Sequence, residues 1–301
     1  MTATLPLERW LPAAELERLE GLPFRVRQLA GGTLAGGHRS PRRGNSVEFA
    51  QHRDYTAGDD LRYVDWKAYA KSDRYYIKLF DDETTLQAML ALDSSQSMQY
   101  QSAASLRSKL DYAKTVGALL AWLILRQSDA VGFCELGGSH PIDLLPSNQR
   151  TQLHAVCHRL DDCSANNQEG VATGMMAVSG RLPSRSVVLV LSDFFEDLGS
   201  LATGLRALQQ GKHDVVLLHV FDPAEEDFPF DQPTRFEGLE QLGDLACDAK
   251  QISVSYREEF VRFLTELQSL ARHSGAQYVR LRTDRPIHEA LSQFLRAREK
   301  A

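Results

Sequence analysis

Three apolar runs of strand length decide what this chain can become: "LQAMLALD" at 86–93, "SVVLVLSD" at 186–193 and "DVVLLHVF" at 214–221. None alternates polar with apolar residues, so each must bury both faces, as strands do in a sheet covered by helices on both sides. Helical patterns fill the intervals, near 105–127, 148–160, 171–182, 197–210, 256–274 and 286–298. The first repeats Leu106, Leu110, Ala113, Val116, Leu120, Leu123 and Ile124, the spacing of one buried face. Further strands are expected at 130–136, 141–145 and 276–282, the first two joined by "GGSH" as an antiparallel edge hairpin. This alternation predicts an α/β fold over residues 85–301, with a doubly wound, mostly parallel sheet. Residues 1–84 are rich in Gly, Arg, Tyr and Asp, lack a long periodic helix, and read as a separate β-rich segment. Residues 222–250, around "DPAEEDFPFDQPTRFEGLE", are too rich in Pro and acid for a helix and read as an irregular excursion.

Charge and hydropathy remove several function classes. A net charge of −6 and a pI near 5.9 argue against nucleic acid as the main partner, despite the basic "HRSPRR" at 38–43. The N-terminus has no basic stretch followed by an apolar core, so no signal peptide is expected. The run "VGALLAWLIL" at 116–125 is far shorter than the ~20 residues that span a bilayer. The expectation is a soluble cytoplasmic protein without an integral membrane segment. The four cysteines form no CxxC pair. His154, Cys157 and His158 share a helical face with Cys163 just beyond, but the spacing matches no common zinc module, and they read as core residues. "LAGGTLAGG" at 29–37 lacks the lysine of a phosphate-binding loop and reads as a plain loop.

Two of the three apolar runs end in aspartate, and ligands of open parallel sheets bind outside the carboxyl ends of strands. After Asp93 the pattern is Asp-x-Ser-x-Ser, and alternate residues of an extended turn point one way. Asp93, Ser95 and Ser97 therefore converge, and Asp193 from a second strand end would complete an all-oxygen shell. Such a shell suits Mg²⁺, with Mn²⁺ or Ca²⁺ as alternatives, and leaves a position for a partner's oxygen. The same residues serve equally well as a helix cap and turn, so both readings stand on spacing alone. A strand ending in one Asp also opens aspartyl-nucleophile phosphatases, which makes Asp93 the reacting residue of an alternative reading, a metal-dependent hydrolase or phosphatase. There Ser95 occupies the place of the general acid and cannot serve as one. No G-x-S-x-G elbow exists, and His38, His140 and His219 have no recognisable nucleophile partner.

"LALDSSQSM" at 90–98 resembles the first motif of von Willebrand factor A domains, the metal-ion-dependent adhesion site, and "VVLVLSDF" at 187–194 resembles the strand that supplies its late aspartate. The resemblance implies that Ser95 and Ser97 bind Mg²⁺ through their hydroxyls, with Asp93 and Asp193 acting directly or through water. The family's middle ligand is a threonine just before the helix that precedes the late strand. In "QEGVATGMMAVSGRLPSRS" the only threonine is Thr173, two or more residues late.

A second resemblance covers "EFAQHRDYTAGDDLRYVDWKAYAKSDRYYIKLFDDET" at 48–84. Glu48, Phe49, Arg53, Tyr55, Gly58, Asp59, Asp60, Arg62, Asp65, Trp66 and Lys67 match the signature block of the bacterial domain of unknown function 58 family. In that family the block precedes an A-type domain beginning D-x-S-x-S-M. With "FDPAEEDFPF" further on, the likeness extends over most of the chain, which resembles the shorter members without membrane helices. It implies a non-enzymatic interaction module, an adaptor or chaperone-like partner of a MoxR-type AAA+ ATPase and of other von Willebrand factor A-type proteins. Read from its residues alone, the block offers a Gly58 turn and Asp59 and Asp60 beside Arg53 and Arg62. Tyr55 and Trp66 add large side chains with polar tips. This is either a network that pins the N-terminal piece to the core or a partner-binding surface.

Overall fold

In the computed structural model the three apolar runs lie in one sheet. The structure describes residues 6–25, 49–56, 64–72, 74–80, 85–138, 142–167, 169–236, 243 and 245–299. The chain forms two compact units, Gln28–Leu86 on the one hand and Met1–Arg27 with Gln87–Ala301 on the other.

The first 27 residues, expected within a β-rich segment, instead carry α1 (Pro6–Trp10) and α2 (Ala13–Leu19) and belong to the α/β unit. The reason is burial: Trp10, Leu19 and Phe24 are at most 3% exposed, and each such side chain contributes roughly 1.5–3 kcal/mol on leaving water. Arg9 pairs with Asp161 at 2.9 Å, and Glu15 accepts from the backbone N–H of His288 at 2.7 Å.

In the smaller unit, β1 (Phe49–Asp54) pairs antiparallel with β2 (Tyr76–Phe80), and α3 (Trp66–Ser72) lies between them in sequence. Asp65 caps α3, its Oδ1 accepting the N–H groups of Lys67 and Ala68 at 2.9 and 3.1 Å. Tyr69 stacks on Tyr75 with ring centres 4.4 Å apart, and Tyr55 packs on Tyr75 at 6.1 Å.

The α/β unit continues through β3 (Gln87–Asp93), α4 (Lys109–Arg126), β4 (Ala130–Leu136), β5 (Leu144–Ser147), α5 (Gln152–Asp162), α6 (Val171–Ser179), β6 (Val187–Ser192) and α7 (Leu198–Gln210). It ends with β7 (Asp214–Phe221), α8 (Pro223–Asp227), β8 (Pro233–Phe236), β9 (Leu245–Asp248), α9 (Ala249–His273), β10 (Gln277–Arg282) and α10 (Ile287–Glu299). Sheet order is β10-β7-β6-β3-β4-β5, parallel throughout except for the edge pair β4–β5. This is the doubly wound sheet that the sequence predicts. The chain starts in the middle at β3, builds outward through β4 and β5, then returns to the other side of β3 with β6. The switch point lies between β3 and β6, where such sheets hold ligands.

Helices α6, α7 and α9 cover one face, packing Met175, Leu201, Leu205 and Leu267 over Met89, Val188, Val190 and Leu217. Helix α4 lies on the other, with Ala113, Val116, Leu119 and Leu120 fully buried. A Cβ at its Gly117 would stand 3.7 Å from Leu160 of α5 and 3.8 Å from Leu191 of β6. Leu106, expected on the buried face of this helix, is 97% exposed, because α4 begins only at Lys109, with the Ser108 hydroxyl accepting from Asp111 N–H at 3.1 Å. The acid-rich segment is less irregular than its composition suggests. It holds α8, the antiparallel ribbon β8–β9, and the start of α9, which Asp248 caps at Lys250 N–H, 3.1 Å away. Among the described residues, no helix is long and apolar enough to cross a membrane.

Candidate functional site

Asp93 closes β3, and Asp193 follows directly on β6. Asp93 Oδ1 accepts the Ser95 N–H at 2.8 Å, and its Oδ2 accepts the Ser192 hydroxyl at 2.6 Å. The same Ser192 oxygen accepts the Phe194 N–H at 2.7 Å. Asp193 Oδ1 accepts the Phe195 N–H at 3.1 Å, and its carboxylate also accepts from Ser97. The Ser95 and Ser97 hydroxyls lie 3.0 Å apart. Phe194 holds the turn together in the left-handed region, at φ 53°, a conformation that costs a non-glycine residue and concentrates at functional sites. The four residues predicted from the two strand ends therefore meet at the switch point.

A residue that sequence reading passed over dominates the electrostatics. Lys109, the first residue of α4, is 1% exposed. Its ammonium donates to Asp193 Oδ2 at 2.7 Å and to Glu225 Oε1 at 2.6 Å. Glu225 is itself held, because Asp222 caps α8 and Glu225 Oε2 reaches back to the Asp222 N–H at 2.7 Å, a reciprocal capping box. The end of β6 and the segment after β7 thus supply two carboxylates to one buried ammonium, and Asp93 at the end of β3 is linked to them through the Ser95–Ser97 turn and Ser192.

The charge states follow. Burial drives the Asp93 carboxyl up to about 6, and the Asp193 charge adds to this against hydrogen bonds from Ser192 and Ser95. Burial pushes Asp193 upward too, but the Lys109 ammonium outweighs it and holds the group below the usual carboxylate range. For Lys109, burial acts downward and is overcome by Asp193 and Glu225, so the amine stays charged. Glu225 is raised by burial despite its pairing with Lys109.

These residues do not fit a resident Mg²⁺ of the kind the pattern implies. Asp93, Ser95 and Ser97 are in place, but Asp193 is already bound by Lys109. A dication there would have to share Asp193 with an ammonium that already holds that carboxylate, and the two positive charges oppose each other. Thr173 supplies nothing, since it sits in the first turns of α6 and faces solvent. The cause is packing: a Cβ on the adjacent Gly174 would stand 2.6 Å from Leu136, so this side of α6 is pressed on β4 and Thr173 is turned about 100° away. Ahead of α6 the chain is tied by Asn167, whose Nδ2 donates to Ser94 Oγ at 2.6 Å and to Leu136 O at 3.2 Å.

Other expected residues are placed as follows. Tyr55 belongs to the aromatic cluster of the smaller unit, Asp65 is a helix cap, and Trp66 and Lys67 are exposed. Arg53 lies in β1, while Glu48, Gly58, Asp59, Asp60 and Arg62 lie outside the described residues. Cys157 and Cys163 are buried, His158 is exposed beside Asp162, and among the described residues no group of three or more His, Cys, Asp or Glu is placed to hold a metal. His219 is core: burial lowers it to about 3, and its Nδ1 lies 2.6 Å from the Tyr278 hydroxyl.

Beside the strand ends, a depression of about 480 Å³ is floored by Phe195, Tyr256, Phe260 and Phe263 and rimmed by Glu196, Asp197 and Glu259. Phe195, two residues after Asp193, is 57% exposed and packs 5.4 Å from Phe263.

A family model described as protein of unknown function DUF58 matches residues 51–269. Two uncharacterized proteins, Rv1480 of Mycobacterium tuberculosis and Mb1516 of Mycobacterium bovis, are each 24% identical over 304 residues, spanning 96% of this chain and 90% of their own length. Among solved structures, the chain is similar to BatB from Bacteroides thetaiotaomicron at 16% identity and TM-score 0.48, covering 72% of this chain and 100% of that one. It is also similar to the SpRpn10 VWA domain at 12% identity and TM-score 0.40, covering 70% and 95%. The von Willebrand factor A-like fold of this chain rests on its own strand order, strand direction and the Asp-x-Ser-x-Ser turn at the switch point.

Proposed function

Because this chain belongs to the DUF58 family of proteins of unknown function, we propose its role from the site: a non-enzymatic protein-interaction module, acting as adaptor or chaperone-like partner of a MoxR-type AAA+ ATPase. The observation that carries this reading is the exposed Phe195 beside the strand-end cluster, flooring an aromatic depression with an acidic rim. Exposed aromatic surface of this kind marks interaction sites rather than ordinary solvent-facing surface. The rim carboxylates and aromatic faces favour a partner segment carrying Arg or Lys among apolar side chains. The resemblance of the signature block supplies the ATPase as partner.

Mg²⁺-dependent docking through Asp93, Ser95 and Ser97 is a finer version of the proposal, and the Asp193–Lys109 pairing weighs against it. The alternative, a metal-dependent phosphatase attacking through Asp93, is weakened by burial. That carboxyl is 2% exposed and both of its oxygens already accept hydrogen bonds, whereas an attacking oxygen must reach substrate. Capture of a MoxR-type AAA+ ATPase from the same organism by wild type and by Phe195→Ser tests the reading. Wild type retains the ATPase in at least one nucleotide state, and Phe195→Ser weakens capture about tenfold or more. Absence of capture in every nucleotide state overturns it, and Asp93-dependent hydrolysis of an aryl phosphate would favour the phosphatase.

A further inference from the structure

The geometry points to Lys109 as the resident cation of the strand-end site: we infer that its ammonium stands where the Asp-x-Ser-x-Ser pattern calls for a divalent metal. The site is then assembled by an internal charge and works without Mg²⁺. This deepens the docking proposal without depending on it, since it concerns the site's own charge whatever docks there.

Three observations carry the inference. First, the ammonium is as buried as the carboxylates, Lys109 being 1% and Asp193 2% exposed, so it is no surface pair that salt would screen. Second, it takes one carboxylate oxygen from each of two strand ends, Asp193 Oδ2 at 2.7 Å and Glu225 Oε1 at 2.6 Å, tying β6 to the segment after β7 as a bridging cation would. Third, it is fixed from its own side. Ser108 caps α4, and the Lys109 backbone N–H donates to Tyr100 O at 3.1 Å, directly after the turn that carries Ser95 and Ser97. The turn, the ammonium and the two carboxylates therefore form one hydrogen-bonded assembly. Meanwhile the oxygens a metal would need are engaged: Asp193 by Lys109, Ser97 and Phe195 N–H, and Asp93 by Ser192 and Ser95.

The test uses the full chain and Mn²⁺, which is observable by its effect on water-proton relaxation. Wild type and Asp93→Asn are expected to give the same titration up to millimolar Mn²⁺, and millimolar Mg²⁺ leaves the wild-type melting temperature unchanged. Lys109→Met removes the charge with little loss of volume. It is expected to gain a Mn²⁺ site at least tenfold tighter than any in wild type, lost again when Asp93→Asn is added. Wild-type Mn²⁺ binding that disappears in Asp93→Asn overturns the inference. So does a folded Lys109→Met chain that gains no site. If Lys109→Met does not fold, the wild-type and Asp93→Asn titrations decide alone. ATPase capture plays no part in these readouts, so failure of the docking reading and failure of this one are separable.

Discussion

Two cations are buried at opposite ends of the same strands, and they do different work. At the amino end of β7, Arg298 of α10 pairs with Asp214, donates to Gln277 Oε1 at 3.0 Å and reaches the carbonyl of Arg25. Its guanidinium lies 5.3 Å from the Phe24 ring centre and 5.5 Å from that of Phe294. At the carboxyl end, Lys109 meets two carboxylates from different strand ends, next to hydroxyls that reach the surface. Among the described contacts, the Arg298 cluster pairs the guanidinium with the Asp214 carboxylate and surrounds it with neutral acceptors and rings, so it is a staple joining the segment after α2 and helix α10 to the sheet. The Lys109 cluster keeps a surplus of acid around a single cation. Burial alone does not separate a structural ion pair from a functional one; the balance of partners does.

The largest expected effect breaks the second cluster. Lys109→Met leaves Asp193 and Glu225 facing each other without their cation, and removing one partner of a buried pair costs about 5 kcal/mol at the upper end. Equilibrium denaturation in urea measures it; a loss under ~1 kcal/mol would mean that water reaches the site and solvates the two acids. Arg298→Met tests the staple. It removes the charge from one carboxylate and keeps apolar packing near Phe24 and Phe294, so about 3 kcal/mol is expected. If Arg298→Met costs more than Lys109→Met, the contrast between the two ends fails.

A third effect is read against pH. Asp93 has its folded value raised from 3.8 to about 6, so the native state holds a proton that the unfolded chain releases in that window. Its contribution to stability is fully present below 3.8 and is lost as pH rises through about 6. Asp93→Asn, which cannot ionise, removes this slope. Relative to wild type it should gain about 2–3 kcal/mol on passing from below 3.8 to above 6. Parallel melting series of the two proteins measure the gain. A constant offset across the range would mean that Asp93 ionises freely.

The contrast also marks what could be read from the sequence. The β3, β6 and β7 strands were legible because burial on both faces leaves no polar alternation, and the aspartates ending β3 and β6 stood out against that background. Lys109 and Glu225 were not, since each lay inside a pattern with an ordinary explanation: one opens an amphipathic helix, the other belongs to an acid-rich segment. A signal existed for both. A lysine at the first position of a helix faces the positive end of the helix dipole and needs a compensating acid. Asp222-Pro223 followed by Glu225 is a capping box, which places that acid on a defined turn. The amino-terminal helices α1 and α2 went unseen because five and seven residues are too few to establish a 3.6-residue period. Thr173 misled for the opposite reason: a single threonine near the expected place says nothing about which way its helix turns.

The smallest expected effects separate hydroxyls that belong to the assembly from the one that does not. Ser97 donates to the Asp193 carboxylate and lies 3.0 Å from Ser95 Oγ. Ser97→Ala therefore removes a hydrogen bond to a charged group in a buried setting, at a cost of about 1.5 kcal/mol. Thr173→Ala removes a hydroxyl from the solvent face of α6 and replaces it with a better helix former, so stability should stay within about 0.5 kcal/mol of wild type or rise slightly. The pair discriminates because both changes delete one hydroxyl that the metal-site pattern counts as a ligand. If the pattern governed this chain, the two alanines would behave alike in stability and in any response to Mn²⁺. With Lys109 as the organising charge, only Ser97→Ala registers, and it does so equally with and without the metal. Matched denaturation curves in the presence of Mn²⁺ and of chelator read both quantities at once. A Thr173→Ala loss as large as that of Ser97→Ala would require α6 to turn its exposed face toward the strand ends.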